Sequence, residues 1–162
     1  MRGAVTTIVI IDAYYTMNIM GDLTAFSNYF NLTAPTSSNF EIYPMPGLTT
    51  TPDSNWTIET CLDIEWAHAI APNATIVLVE AVSPGLGDLL DAVQYAANQP
   101  NVVGVSMSWV ANEGSWVNGY DSYFTSNNGA VFFASSGLLT GHGQPLMPNA
   151  SQRVKEFTAT LK

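Results

Sequence analysis

The stretch TIETCLDIEWAHAIAPNATIVLVE, residues 57–80, carries Glu59 and Asp63 four positions apart on a segment of helical period and then runs into a β-branched strand. Short apolar runs of this kind recur along the chain, at about 4–11 (AVTTIVII), 39–43, 75–80 (TIVLVE), 102–107 (VVGVSM) and 130–134 (AVFFA). Helical segments fit between them, at about 22–30, 56–70, 86–98 and 117–126. Strands alternating with helices predict an α/β fold, a mostly parallel sheet with helices on both faces. The segment YPMPGLTTTPDSN, 43–55, reads as a loop from its Pro, Gly and Thr content.

On a helical wheel Asp63 falls about 40° from Glu59, so the two carboxylates share one side of the helix. Ile58, Leu62, Trp66, Ala69 and Ile70 cluster next to them and are expected to be the buried face. Ile64 and His68 fall on the far side. Two acids this close repel, and partial exclusion of water adds to the cost of charging both. A shared proton and one raised pKa are therefore expected. A carboxylic acid beside a carboxylate transfers protons below neutral pH. The same spacing also fits two acids that flank the core with their heads in water.

Composition narrows the classes. The chain has 162 residues, 47% of them hydrophobic and 10% charged, which suits one packed domain and not a disordered segment. Its net charge is −9, and after Arg2 no Lys or Arg occurs until Arg153. Nucleic acid and anionic membrane surfaces are disfavoured as partners, since both need cations. No apolar run approaches the roughly 20 residues that span a bilayer. An acidic surface poor in cations suits an acidic setting. The lone Cys61 forms no intrachain disulfide, and no Cys/His spacing suggests zinc. MRGAVTTIVIIDAYY lacks a small-residue cleavage site and reads as a strand, not a signal peptide. Residues 138–162 lose the strand–helix rhythm and hold three of the four cations.

Taken with its neighbours, ETCLDIEWAHAIAPNATIVLVEA resembles the signature of the sedolisins, the serine-carboxyl peptidases. IVIIDAYY, GDLTAFSNYFNL, VVGVSMSWV and GAVFFASSG agree in order and spacing, so the resemblance covers residues 4 to about 137. It implies an incomplete subtilisin-like fold, with 1–137 the N-terminal part of a peptidase domain and 138–162 a divergent tail or truncated continuation. It also implies endopeptidase chemistry at acidic pH on a peptide or protein substrate. In that chemistry a serine hydroxyl attacks the peptide carbonyl, Glu59 takes its proton and Asp63 holds Glu59. Ser106, Met107, Ser108 and Trp109 would bind the substrate by adding its backbone to the strand end. A secreted or extracytoplasmic location follows from the same resemblance.

The chain departs from the family pattern in three places. Leu138 follows Ser135-Ser136-Gly137, where the family has an aspartic acid that donates a hydrogen bond to the oxyanion. Losing such a donor costs roughly 10²–10³ in rate. The Gly-Thr-Ser segment that carries the nucleophile does not occur, and Ser151 sits in PNASQR, which has none of that character. No cofactor is expected in this chain, because the family's calcium site belongs to the C-terminal part. Val110 follows Trp109 where the family usually has Gly. The expectation is a domain that carries the acid–base pair and is inactive alone, the alternative being a non-catalytic peptide-binding or relic domain of the same fold.

Three other features have plainer readings. Asp12, at the end of the first strand, is expected to cap or turn the chain, since neither His68 nor His142 has the His-Gly-Thr setting of ordinary subtilisins. Glu80 lies at a strand's carboxyl end, where ligands gather in parallel sheets, and Asp88 suits the start of the next helix. SPGLGD, 83–88, is too short a match to a dinucleotide fingerprint and reads as a loop. A sheet cut at its fifth strand would leave an edge unpaired, and self-association through it is expected.

Overall fold

The computed structural model describes residues 6–110 and 117–135. Its elements run β1 (Thr7–Ala13), α1 (Ile19–Tyr29), β2 (Phe40–Pro44), α2 (Ser54–Ile70), β3 (Thr75–Ala81), α3 (Leu86–Ala97), β4 (Val102–Met107), a 3₁₀ segment (Val117–Phe124) and β5 (Val131–Ala134). The five strands form one sheet in the order β2-β3-β1-β4-β5. All four ladders are parallel. The expected α/β architecture is the one observed. Leu138 and the rest of the tail 138–162 lie outside the described residues.

Period-two alternation along the strands divides the core in two. Val9, Ile11, Ala13, Val77 and Val79 pack with Leu89, Val93 and Ala96 of α3 on one face of the sheet. Ile10, Ile76 and Leu78 pack with Ile19 and Leu23 of α1 and Ile64 of α2 on the other. Each fully buried Ile, Leu or Val contributes about 1.5–3 kcal/mol through removal from water. The helix stripe over 86–98 was legible for this reason: Leu89, Leu90, Val93 and Ala97 are all buried.

The sheet positions its strand ends. β1 lies between β3 and β4, and the connection through α2 covers one face while that through α3 covers the other. The carboxyl ends of β1 and β4 therefore meet where the winding reverses, which is where open α/β sheets present a crevice. The outer strands are β2 and β5.

Candidate active site

Helix α2 begins two residues earlier than its apolar pattern suggests, because the Asp53 side chain caps it, accepting from the backbone N–H groups of Asn55 and Trp56 at 3.0 Å each. The face it buries is the reverse of the expected one. Thr60, Ile64 and His68 are buried, whereas Ile58, Leu62, Trp66 and Ile70 are 69, 48, 61 and 78% exposed. The polar pair is tolerated inside because its groups are satisfied. Thr60 Oγ1 donates to the Trp56 carbonyl at 2.8 Å, and His68 Nε2 donates to the Thr33 carbonyl at 2.7 Å. Glu59 and Asp63 still lie on the border of the buried face, approached from the opposite side, and both are half-buried.

Alternation along β1, β3 and β4 brings further polar groups to the sheet face beneath α2. Ile8 pairs with Gly104 and Ile10 with Ser106, so Ser106 shares the α2 side of the sheet with Ile10. Asp12 is next on that side of β1, and its register partner on β3 is Glu80. Asp12 is fully buried and neither caps nor turns anything, which corrects the sequence expectation. Glu80 is also buried and accepts the Thr16 backbone N–H at 2.7 Å, so it anchors the loop after β1 and does not open toward a ligand. Asp88 stands in the first turn of α3 and accepts from the Ser83 hydroxyl, as a helix-start residue should.

These placements set the electrostatics. Burial pushes the Asp63 carboxyl up to about 6; the contact with Ser108 opposes the rise and the charge of Glu59 adds to it. Asp63 Oδ2 is buried without a hydrogen-bond partner among the described residues. Asp12 is held well above the usual carboxyl range, first by burial and then by the charge of Asp63, with Glu59 and Glu80 adding to the effect. The Thr60 hydroxyl beside Asp12 moderates that rise, but its proton goes to Trp56. Both Asp12 oxygens therefore have no hydrogen-bond partner.

The strand-end residues separate into two pairs. Ser106 and Met107 have ladder neighbours on both sides, Ile10 and Ile11 on β1 and Phe133 and Ala134 on β5. The Met107 carbonyl also accepts the Ser135 N–H at 3.0 Å. No extended peptide can pair its backbone there, which corrects the expectation for these two residues. Ser108 and Trp109 lie beyond the end of β4. Trp109 packs its ring in the core against the α3 face. Trp66 is the aromatic that borders an opening: with Leu62, Asp63, Ile70, Ile8 and Ser106 it lines a groove of about 510 Å³.

Comparison with known proteins bears on the fold. The structure described as Pseudomonas sedolisin (serine-carboxyl proteinase) complexed with two molecules of pseudo-iodotyrostatin superposes with a TM-score of 0.66 at 20% identity, over 82% of this chain. The fold is sedolisin-like. This chain spans 39% of the length of that sedolisin chain. No protein-family model matches the sequence, and no curated protein does.

The arrangement supplies a half-buried carboxyl that changes charge near pH 6, a neighbouring carboxylate and a serine hydroxyl between helix and strand end. Among the described residues no group of three or more His, Cys, Asp or Glu side chains is placed to hold a metal ion. Sequence reasoning missed Asp12 and the contact of Ser108 with Asp63. The signal was present: Ile8, Ile10 and Asp12 alternate on one face of a strand, and a carboxylate third in such a series points inward.

Proposed function

We propose that this chain is the N-terminal part of the catalytic domain of a serine-carboxyl endopeptidase that works at acidic pH, in a secreted or extracytoplasmic setting. Glu59 is the group that takes the proton of a serine hydroxyl, and Asp63 is its partner. The observation that carries the reading is that Asp63 lies half-buried beside Glu59 with Ser108 against it, burial pushing its carboxyl up to about 6. A pair that can exchange a proton in weak acid suits general acid–base work there. The substrate is a peptide laid along the backbone of Ser108 and Trp109, past the end of the β4 ladder. The sedolisin-like fold supports the same assignment.

Within this reading residues 1–162 do not cleave peptides by themselves, because the Gly-Thr-Ser nucleophile segment does not occur in them and Leu138 stands at the oxyanion position. A second reading is a non-catalytic peptide-binding domain. It is favoured by the exposed apolar stripe of Leu62, Trp66 and Ile70 along the groove.

A peptide mixture incubated with the chain at about pH 4 and followed by mass spectrometry and amide chemical shifts tests the proposal. The expected result is no cleavage, with shifts at Ser108 and Trp109. Cleavage that Glu59→Gln abolishes would overturn the inactivity of the isolated chain. Shifts confined to the groove, with Ser108 and Trp109 unmoved, would replace the proposal by the second reading.

A further inference from the structure

A second groove, of about 500 Å³, lies on the face of the sheet opposite α2, between the end of β2 and α3. The proposed peptidase chemistry makes no use of it. Asp91, Gln94, Tyr95 and Asn98 line it from one side of α3, at a spacing that covers two turns, about 10 Å of helix. Gln99 follows at the helix end, and Met45 and Pro46 form the facing wall. The two walls are held in place. The Tyr95 ring stacks on that of Tyr43 in β2, with centroids 3.8 Å apart and planes 12° from parallel, and the Met45 N–H donates to the Glu80 carbonyl at 2.9 Å.

What this groove offers is mainly acceptors. Asn98 Nδ2 donates to the Gln94 carbonyl at 2.8 Å and Gln99 Nε2 to the Tyr95 carbonyl at 3.2 Å, so both amide nitrogens are engaged while the amide oxygens remain to be used. The Asp91 carboxylate adds a charge, and the last turn of α3 adds the negative end of a helix dipole with no basic residue to offset it. Burial, then Tyr43 and the charge of Glu41, push the Tyr95 hydroxyl up, so the ring sits in the same negative surroundings. No Lys or Arg occurs among the described residues to balance them. An aromatic ring amid acceptors and negative charge attracts a cation. A metal ion is a poor match, because among the described residues no three His, Cys, Asp or Glu side chains converge. A guanidinium fits better than an ammonium: it is flat, stacks on a ring and fans five N–H donors toward acceptors that lie apart. Its apolar stem suits Met45 and Pro46. We propose that this groove binds an arginine side chain of a polypeptide partner, the guanidinium against Tyr95 and shared among Asp91, Asn98 and Gln99. The site lies apart from Glu59 and Asp63 and goes beyond the peptidase reading without resting on it.

Amide chemical shifts of the 162-residue chain at neutral pH, titrated with N-acetyl-arginine amide, test the proposal. The expected result is a saturable shift at Tyr95, Asn98 and Gln99 that weakens as salt is added. N-acetyl-citrulline amide, which keeps the shape and loses the charge, is expected to leave these residues unmoved, and N-acetyl-lysine amide to bind at least roughly twofold more weakly than the arginine probe. Asp91→Asn alters an exposed position and should weaken arginine binding roughly two- to fivefold. Tyr95→Leu removes the ring and should weaken it by a similar factor of roughly two to five. The absence of a saturable shift, a citrulline response equal to the arginine response, or an affinity untouched by Asp91→Asn overturns the proposal. Guanidinium chloride that binds as tightly as N-acetyl-arginine amide overturns the assignment to a side chain, since the stem would then contribute nothing. Should Tyr95→Leu not fold, the arginine and citrulline probes on the natural chain decide. None of these readouts involves Glu59 or Asp63, so failure of the peptidase reading leaves them standing.

Discussion

Ser108, just past the end of β4, lies against the side chain of Asp63 on α2 and holds down the rise of its carboxyl, so the end of a central strand is joined to the helix that carries both acids. The contact favours the ionised form of Asp63 and opposes the effect of burial. Ser108→Ala is therefore expected to move the Asp63 midpoint further above about 6. Carboxyl NMR titration reads the shift, and an unchanged or lowered midpoint would show that the two side chains do not interact.

The reversed face of α2 predicts an unusual ordering of mutational costs. Ile64→Ala leaves a hole between helix and sheet and should cost about 2–5 kcal/mol. Trp66→Ala and Ile70→Ala, which remove side chains as large as or larger than that of Ile64, act on groups that are 61 and 78% exposed and should cost well under that. Urea unfolding midpoints at constant slope rank the three. The opposite order would restore the face expected from the wheel.

Stability should fall as pH rises. Asp12, Asp63, Glu65 and Glu80 all have carboxyls raised above their ordinary values, chiefly by burial. Above the unfolded value near 3.8 for Asp63 and below its folded value of about 6, the native chain holds more protons than the unfolded one. The slope of unfolding free energy against pH is then negative. The contribution of Asp63 is fully present below the unfolded value and is lost by the time pH passes the folded one; Asp12 extends the loss to higher pH. Self-repulsion in a chain of net charge −9 acts in the same direction. Urea midpoints between about pH 4 and 8 measure this, and Asp63→Asn should flatten the lower part of the curve.

Glu80 separates charge from hydrogen bonding. Glu80→Gln keeps an acceptor for the Thr16 N–H and removes a buried charge, so it is expected to be neutral at low pH and stabilising at high pH. Glu80→Ala strands that N–H and should cost about 1–3 kcal/mol at either end. Equal behaviour of the two variants would mean that the bond holds nothing in place.

The strands and helices were legible because period-two and helical stripes survive translation into burial: Val9 and Ile11 face α3, Ile10 faces α2, and α3 buries the stripe it displays. The orientation of α2 was not. Hydropathy marks Leu62, Trp66 and Ile70 as apolar but does not distinguish a stripe that is buried from one left bare. Thr60 and His68 looked like surface residues because the carbonyls that satisfy them, Trp56 and Thr33, are visible only once the chain has folded. Asp12 was hidden by its position, since an acid at a strand end ordinarily begins a turn. Spacing alone put Glu59 and Asp63 on one side of α2, whereas the contact of Asp63 with Ser108 joins residues far apart in the chain and is visible only in the fold.

The central claim is that Glu59 and Asp63 are the acid–base pair of an acid peptidase. Its most direct test is to read the source DNA past codon 162, express the continuous reading frame and assay peptide cleavage at about pH 4 with Glu59 intact and with Glu59→Gln. The account predicts a continuing frame that contains a Gly-Thr-Ser segment, and cleavage that Glu59→Gln reduces by at least roughly 10². A frame that closes without that segment, or cleavage indifferent to Glu59→Gln, would contradict it.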